Sequence, residues 1–503
     1  MRLLWEITGR LLLLSDAHVG AARSAPRHTA GGDADLQLDR DPGSGLPRLR
    51  AGTLAGLLRH ELAARTADPD RARELFGAAA SDTGARPASA LHLDDALARI
   101  PGEAPAEVRT ATRVDPASAT VRPGRTWREE ILPAGTEFDV HLRLHVPAPA
   151  DEARLLTLLL LAAGGLTGAG PGIRVGARTG RGHGTVRATR WRVRRHDLAD
   201  EHDWFAYHAR TWEERWREGS EELADAPADL ADALVRQLRG HGRTAIAAHV
   251  LARSRQPDRR HRAELHLTLE AAERTDPLSP PPGGTRPGLL AGGALSGERL
   301  GGTALFSLFK RIGARLARDT AEQLAEGGEP ASWRDWHDRW WGADTDPRTA
   351  RPRPSRIRLR AAPVLTGGTR LTATRLTVDP LFGDAVEGRV FTGDLLCGGG
   401  AEAVLDVDGP EEAVYGLLAL LVRELATVPL DALGAATGSG NGRLTAVRAV
   451  LAVYSGADGP PRTVDLLAAL FDPHGPEAAA AHGWLACLHA RLAPGGAEGE
   501  EHG

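Results

Sequence analysis

Three short strings occur twice in this 503-residue chain, in the same order each time. Pro47-x-Leu49-x-Ala51-Gly52 is matched by Pro287-x-Leu289-x-Ala291-Gly292, and Thr110-Ala-Thr-Arg113 by Thr372-Ala-Thr-Arg375. Gly176-Ala-Arg-Thr179-Gly180-Arg-Gly182-His-Gly184 is matched, 258 residues on, by Gly434-Ala-Ala-Thr437-Gly438-Ser-Gly440-Asn-Gly442. A composition with 59 glycines can produce one such match by bias; it does not readily produce the ordered set. An internal duplication of this length implies two copies of one unit, each with its own core.

Both halves read as one series of elements. Leu3–Leu14 has strand content, and Leu54, Leu57, Leu58 and Leu62 mark one helical face. Glu137–Leu144 alternates apolar and polar residues, Asp151–Ala163 is a leucine-rich helix with acids at its start, and Thr185–Val193 returns as a strand. The second half repeats this with strand 263–269, helix 303–316, strand 401–407, helix 411–425 and strand 443–453. The order is β-α-β-β-α-β. The expected fold class is therefore α+β: two ferredoxin-like (RRM-like) domains in tandem, with a helical linker and insertions. Their expected bounds are 1–196 and 243–455, with a linker at 197–242 and a helical extension with an acidic tail at 456–503. Trp204, Trp212 and Trp216 in the linker, and Trp333, Trp336, Trp340 and Trp341 in an insertion, are expected to line buried faces.

Composition excludes several classes. Cys397 and Cys487 are too few for a disulfide scaffold or a cysteine zinc site. The apolar start is interrupted by Glu6 and Arg10, unlike a signal peptide, and the run near 155–164 is too short to span a bilayer. A soluble cytoplasmic chain with no membrane partner is expected. The net charge of −4 provides no global basic field, so a nucleic-acid site has to be local. One basic stretch stands out: Arg174, Arg178, Arg181, Arg187, Arg190, Arg192, Arg194 and Arg195 surround the first glycine loop with no acid among them. A second run, RPRPSRIRLR, spans 351–360. The loop has neither the lysine of a P-loop nor the following helix of a Rossmann loop. It is either a slack turn beside a solvated strand or a backbone contact to phosphate, and a contact made twice along one chain suits a linear polymer.

At these residues the chain resembles the RAMP superfamily, specifically the backbone subunits of type III CRISPR effector complexes. The resemblance lies in His18-Val19-Gly20 after the first strand, Gly31-Gly32 and Asp35 in a loop, Asp41-Pro42, Leu46-Pro47-x-Leu49-x-Ala51-Gly52-Thr53-Leu54-x-Gly56 with Arg59, and the loop at 176–184. It covers about 400 residues over both halves, as two RAMP repeats fused in tandem. It implies a guide-RNA (crRNA)-binding subunit that meets complementary target RNA alongside other effector subunits, with thumb-like hairpins at 113–131 and 375–396. The RNA contacts it implies in the first repeat are His18, Arg23, Arg59, Arg113, Arg178, Gly180, Arg181, Gly182 and Gly184. In the second they are Arg375, Gly438, Gly440 and Gly442.

The resemblance further implies that a loop aspartate cleaves the target with a divalent cation, Mg2+, leaving a 2′,3′-cyclic phosphate and a 5′-hydroxyl. The family's spacing, after a Gly-Gly pair and six residues before Asp41-Pro42, selects Asp35 as catalytic residue and metal ligand, with Asp33 as the alternative. In the second repeat the loop is shorter, and Asp276 is the corresponding candidate. Two other readings stay open: a scaffold of the same fold that binds RNA without cutting, and a metal-independent guide-processing endonuclease acting through a histidine such as His18.

Overall fold

The computed structural model describes residues 3–20, 34–78, 88–103, 106–114, 121–168, 170–254, 258–273, 286–287, 289–290, 295–296, 299–343, 353–427, 429–434, 437–456 and 459–495. They form two compact units. The first comprises Met1–Thr179, His183–Arg260 and Gly456–Asp458; the second comprises Gly180–Gly182, His261–Ser455 and Gly459–Gly503.

In the first unit a single strand organises the rest. β1 (Leu3–Leu13) alternates so that Leu3, Trp5, Ile7 and Leu11 enter the core while Glu6, Thr8 and Arg10 take the opposite face. The chain continues through β2 (Arg48–Leu49), α1 (Ala51–Thr66), α2 (Pro69–Phe76), β3 (Leu91–Leu93) and β4 (Ala96–Arg99). β5 (Glu107–Val114) and β6 (Val121–Ile131) form a separate hairpin. Next come β7 (Glu137–Val146), α3 (Glu152–Ala163) and β8 (Val186–Asp197). The sheet is antiparallel in the order β2-β4-β7-β1-β8, with β3 also on β7. α1 and α3 cover its apolar face, α3 burying an unbroken leucine run from Leu158 to Leu161.

The polar face carries a different roof. α4 (Glu201–His208) and α5 (Trp212–Glu221) lie on it, followed by α6 (Leu230–Gly240) and α7 (Thr244–Ser254). α5 approaches β1 at Gly219, where a Cβ would stand 2.6 Å from Thr8 Oγ1. Arg215 reaches the buried Glu6 at 3.0 Å, and Arg192 and Arg194 of β8 pair with Glu222. The linker tryptophans were expected to be buried, but Trp204 is 43% and Trp212 38% exposed. The physical reason is that the roof docks through ion pairs and a glycine, so no residue of α4 is buried.

The second unit has β9 (His261–Glu270), α8 (Gly302–Leu324), α9 (Trp333–Trp341), β10 (Ile357–Leu359), β11 (Thr369–Val378), β12 (Ala385–Cys397) and β13 (Gly400–Asp408). α10 (Glu412–Ala426), β14 (Thr445–Ser455), β15 (Arg462–Asp465), α11 (Leu466–Phe471) and α12 (Ala478–Leu492) complete it. Its sheet runs β10-β13-β9-β14-β15, antiparallel throughout, and β11–β12 form a hairpin outside it. Trp336, Trp340 and Trp341 are buried against α8, as their spacing predicts. α8 extends to Leu324, beyond the expected end at 316.

The pairing of β8 with β1 and that of β14 with β9 carry the same defect. β8 skips Thr189 against β1 between Arg10 and Leu11; β14 skips Val447 against β9 between Thr268 and Leu269. Both pairs of positions are 258 residues apart, the spacing of the glycine strings. Among the described residues no helix is long and apolar enough to cross a membrane.

Candidate nucleic-acid interface

Four segments of the first unit converge at the root of the β5–β6 hairpin: the turn after β1, the loop at 34–40, β6, and the start of the first glycine loop. Asp35 is locked to β6 in both directions. Its N–H donates to the Arg128 carbonyl and its Oδ2 accepts from the Arg128 N–H, each at 2.8 Å. Asp35 is exposed, and Oδ1 is left for another ligand. Asp39, four residues on, is buried between Arg48 and Arg50, whose guanidinia overcome burial and hold its carboxyl below the usual range; the Arg50 hydrogen bond is the larger effect. Asp41 closes a turn onto Ser44. Asp33 and Arg23 lie outside the described residues, as does Asp276.

His18 is 7% exposed, with Nδ1 2.7 Å from the Glu130 carbonyl, and its backbone bridges Ala177 of the glycine loop. Asp16 accepts from Arg109 at 2.6 Å and from the Ala134 N–H at 2.9 Å, pinning the hairpin to the end of β1. Trp127, Glu129 and Arg178 meet beside them. Arg178 pairs with the buried Glu129 and lies over the Trp127 ring, 5.6 Å from its centroid. Sequence reasoning missed Trp127 and Glu129; their i, i+2 spacing on a strand was the available signal, because it puts both on one face.

The two glycine loops take matching backbones. Gly176 and Gly434 have φ of 83° and 84°, Gly182 and Gly440 83° and 82°, and Gly184 and Gly442 75° and 87°. The Val175 N–H donates to the Gly184 carbonyl and the Leu433 N–H to the Gly442 carbonyl, both at 2.8 Å. Their surroundings differ. Gly180–Gly182 is built into the second unit: the Gly180 carbonyl accepts from the Leu359 N–H at 2.9 Å, Arg181 bridges Leu359, and Gly182 packs on Ala361 and Ala362. Gly438 and Gly440 are exposed with open space where a Cβ would stand.

The arginine stretch is less free than its sequence implies. Besides Arg178, Arg192 and Arg194, Arg195 pairs with the buried Glu152 at 2.7 Å and Arg190 donates to the Ala226 carbonyl. Arg59 donates to the carbonyls of Phe76 and Gly77, tying α1 to α2. Arg113 lies on β5, with its side chain outside the described residues; Arg375 is exposed on β11 opposite Phe391.

Among the described residues no three His, Cys, Asp or Glu side chains converge as a metal site. Mg2+ commonly keeps several waters and takes one or two carboxylates plus substrate phosphates, so Asp35 Oδ1 fits such an ion as a single protein ligand. No curated protein matches the chain. The family model of the RAMP superfamily matches residues 10–187, from β1 through the hairpin and α3 to the first glycine loop and the start of β8. Residues 10–187 are therefore similar to the RAMP superfamily.

Proposed function

We propose that the chain is a guide-RNA-binding backbone subunit of a type III CRISPR effector complex, built from two RAMP domains in tandem, and that it cuts complementary target RNA at Asp35. The observation that carries this reading is the family match over 10–187, because that segment holds both the Asp35 loop and the hairpin. The shared strand order, the shared bulge and the matching glycine φ values support a second RAMP domain.

In the proposed reaction the hairpin splays a target nucleotide so that its 2′-oxygen lies in line with the adjacent phosphorus. Asp35 Oδ1 accepts the 2′-hydroxyl proton as the 2′-oxygen attacks. The P–O5′ bond breaks, the 5′-oxygen takes a proton from water, and the products are a 2′,3′-cyclic phosphate and a 5′-hydroxyl. If Oδ1 holds a Mg2+ instead, the ion would supply charge neutralisation at the phosphate and solvent water, not Asp35, would take the 2′-hydroxyl proton. The Arg128 bonds fix the carboxylate's orientation.

The test is labelled complementary RNA with the assembled complex, with and without chelator. Metal-dependent cuts lost in Asp35→Ala are expected; cuts that survive the substitution overturn the assignment. A non-cutting scaffold is the second reading, favoured by the lack of any cluster of three His, Cys, Asp or Glu side chains that could hold a metal among the described residues. It predicts tight RNA binding with no cuts at all. Processing of repeat RNA by the protein alone would instead point to histidine chemistry.

A further inference from the structure

Two unsatisfied groups share one face at the root of the first hairpin. Glu129 is 2% exposed; one of its carboxylate oxygens pairs with Arg178, while Oε2 is buried with no hydrogen-bond partner among the described residues. The Trp127 indole N–H, on the same face of β6, is also buried without one. Arg178 covers both side chains, and its φ of 60° lies in the left-handed region that residues with a Cβ avoid. An unmet buried acceptor, an unmet buried donor and a strained residue in one cluster all work against stability, and such features gather where a ligand is bound.

The two groups define the ligand. Glu129 Oε2 accepts only and is anionic, so it takes an N–H and repels phosphate. Trp127 Nε1 donates only, so it takes an acceptor. A metal ion would satisfy the first and not the second. A donor and an acceptor side by side on a flat edge, next to an aromatic face and a guanidinium, are what an unstacked nucleobase offers. We infer that Trp127, Glu129 and Arg178 form a one-nucleotide subsite that takes a nucleobase of bound RNA. A base N–H donates to Glu129 Oε2 and a base acceptor receives the Trp127 N–H. Arg178, whose side chain is 18% exposed and lies over the Trp127 ring, moves aside to admit the base. Because Arg128 lies between them on β6 and holds Asp35, the subsite flanks the carboxylate proposed to cut.

This inference rests on the RNA-binding reading, and the experiment separates the two. The full-length protein is titrated with a single-stranded RNA and with versions carrying one abasic position walked along its length, which removes one base and keeps every phosphate. For the wild type, one position is expected to cost about tenfold in affinity. Glu129→Gln and Trp127→Phe, the latter keeping the ring and losing the N–H, are expected to bind the intact and abasic strands alike, with unchanged salt dependence. Circular dichroism checks that each variant folds; if Glu129→Gln does not, Trp127→Phe decides. A flat abasic walk in the wild type, or undiminished sensitivity in the folded variants, overturns the subsite. Failure to bind any RNA overturns the RNA-binding reading instead.

Discussion

A Cβ at Gly184 would fall on the Val175 carbonyl oxygen, and one at Gly442 on the Leu433 carbonyl oxygen, each at positive φ. Steric overlap with backbone adds to the left-handed penalty, so Gly184→Ala and Gly442→Ala are each expected to cost about 2–4 kcal/mol in denaturant unfolding. The equality of the two losses measures how alike the loops are. His145 makes a pH-dependent contribution. Burial, then the positive charges of His92 and Arg143, push its pKa down to about 4 from 6.5. The unfolded chain therefore binds the proton first: the contribution is full above pH 6.5 and lost as pH falls towards 4. Partial exposure screens the effect to about 1–2 kcal/mol. His145→Phe should accordingly lose less stability than the wild type between pH 7 and pH 4.5, read from urea midpoints.

The roof of the first sheet shows how an element is held by a few contacts. Glu6 is buried on β1 and shared between Arg215 of α5 and His196 of β8; against burial, these partners keep its carboxyl ionised below the usual range, with the His196 hydrogen bond foremost. Arg215→Leu strands a buried carboxylate and is expected to cost about 3 kcal/mol, with hydrogen exchange rising across α4 and α5. Arg217→Ala, which removes only an exposed pair to Glu221, should cost under about 0.5 kcal/mol. Equal effects would mean that Glu6 is not what fastens the roof. Apart from α8, which runs eight residues past its expected end at 316, the strands and helices that the sequence marked were legible to within a few residues, because period-2 and period-3.6 patterns record which face is buried. The fate of the arginine stretch was not. Glu129, Glu152, Glu218 and Glu222 lie 49, 43, 24 and 28 residues from Arg178, Arg195, Arg194 and Arg194 respectively, so an acid-free segment is neutralised by carboxylates that only the tertiary fold supplies. The tryptophan spacing in the linker likewise marked one helical side without saying whether the core lay there.

At the scale of the whole molecule the repeated strings have a structural counterpart: their spacing of 258 residues returns in the bulges at Thr189 and Val447. What strings cannot record is divergence of surroundings: Gly180–Gly182 is packed against 359–362, while Gly438 and Gly440 stand open. That difference makes the second loop the better test of whether both units hold RNA. With a net charge of −4 the chain as a whole does not attract a polyanion, so affinity has to come from local contacts that release counterions. For about four phosphates on a single strand, affinity should fall roughly 50-fold between 50 and 200 mM salt. Gly438 has room for a side chain and a φ outside the left-handed region, so Gly438→Asp tests charge without strain. If the second loop grips one phosphate, that substitution should lower the log–log salt slope by about 0.7 while leaving the unfolding midpoint unchanged. An unchanged slope would mean that the second glycine loop grips no phosphate, and that the matching φ values of the two loops do not carry a matching contact.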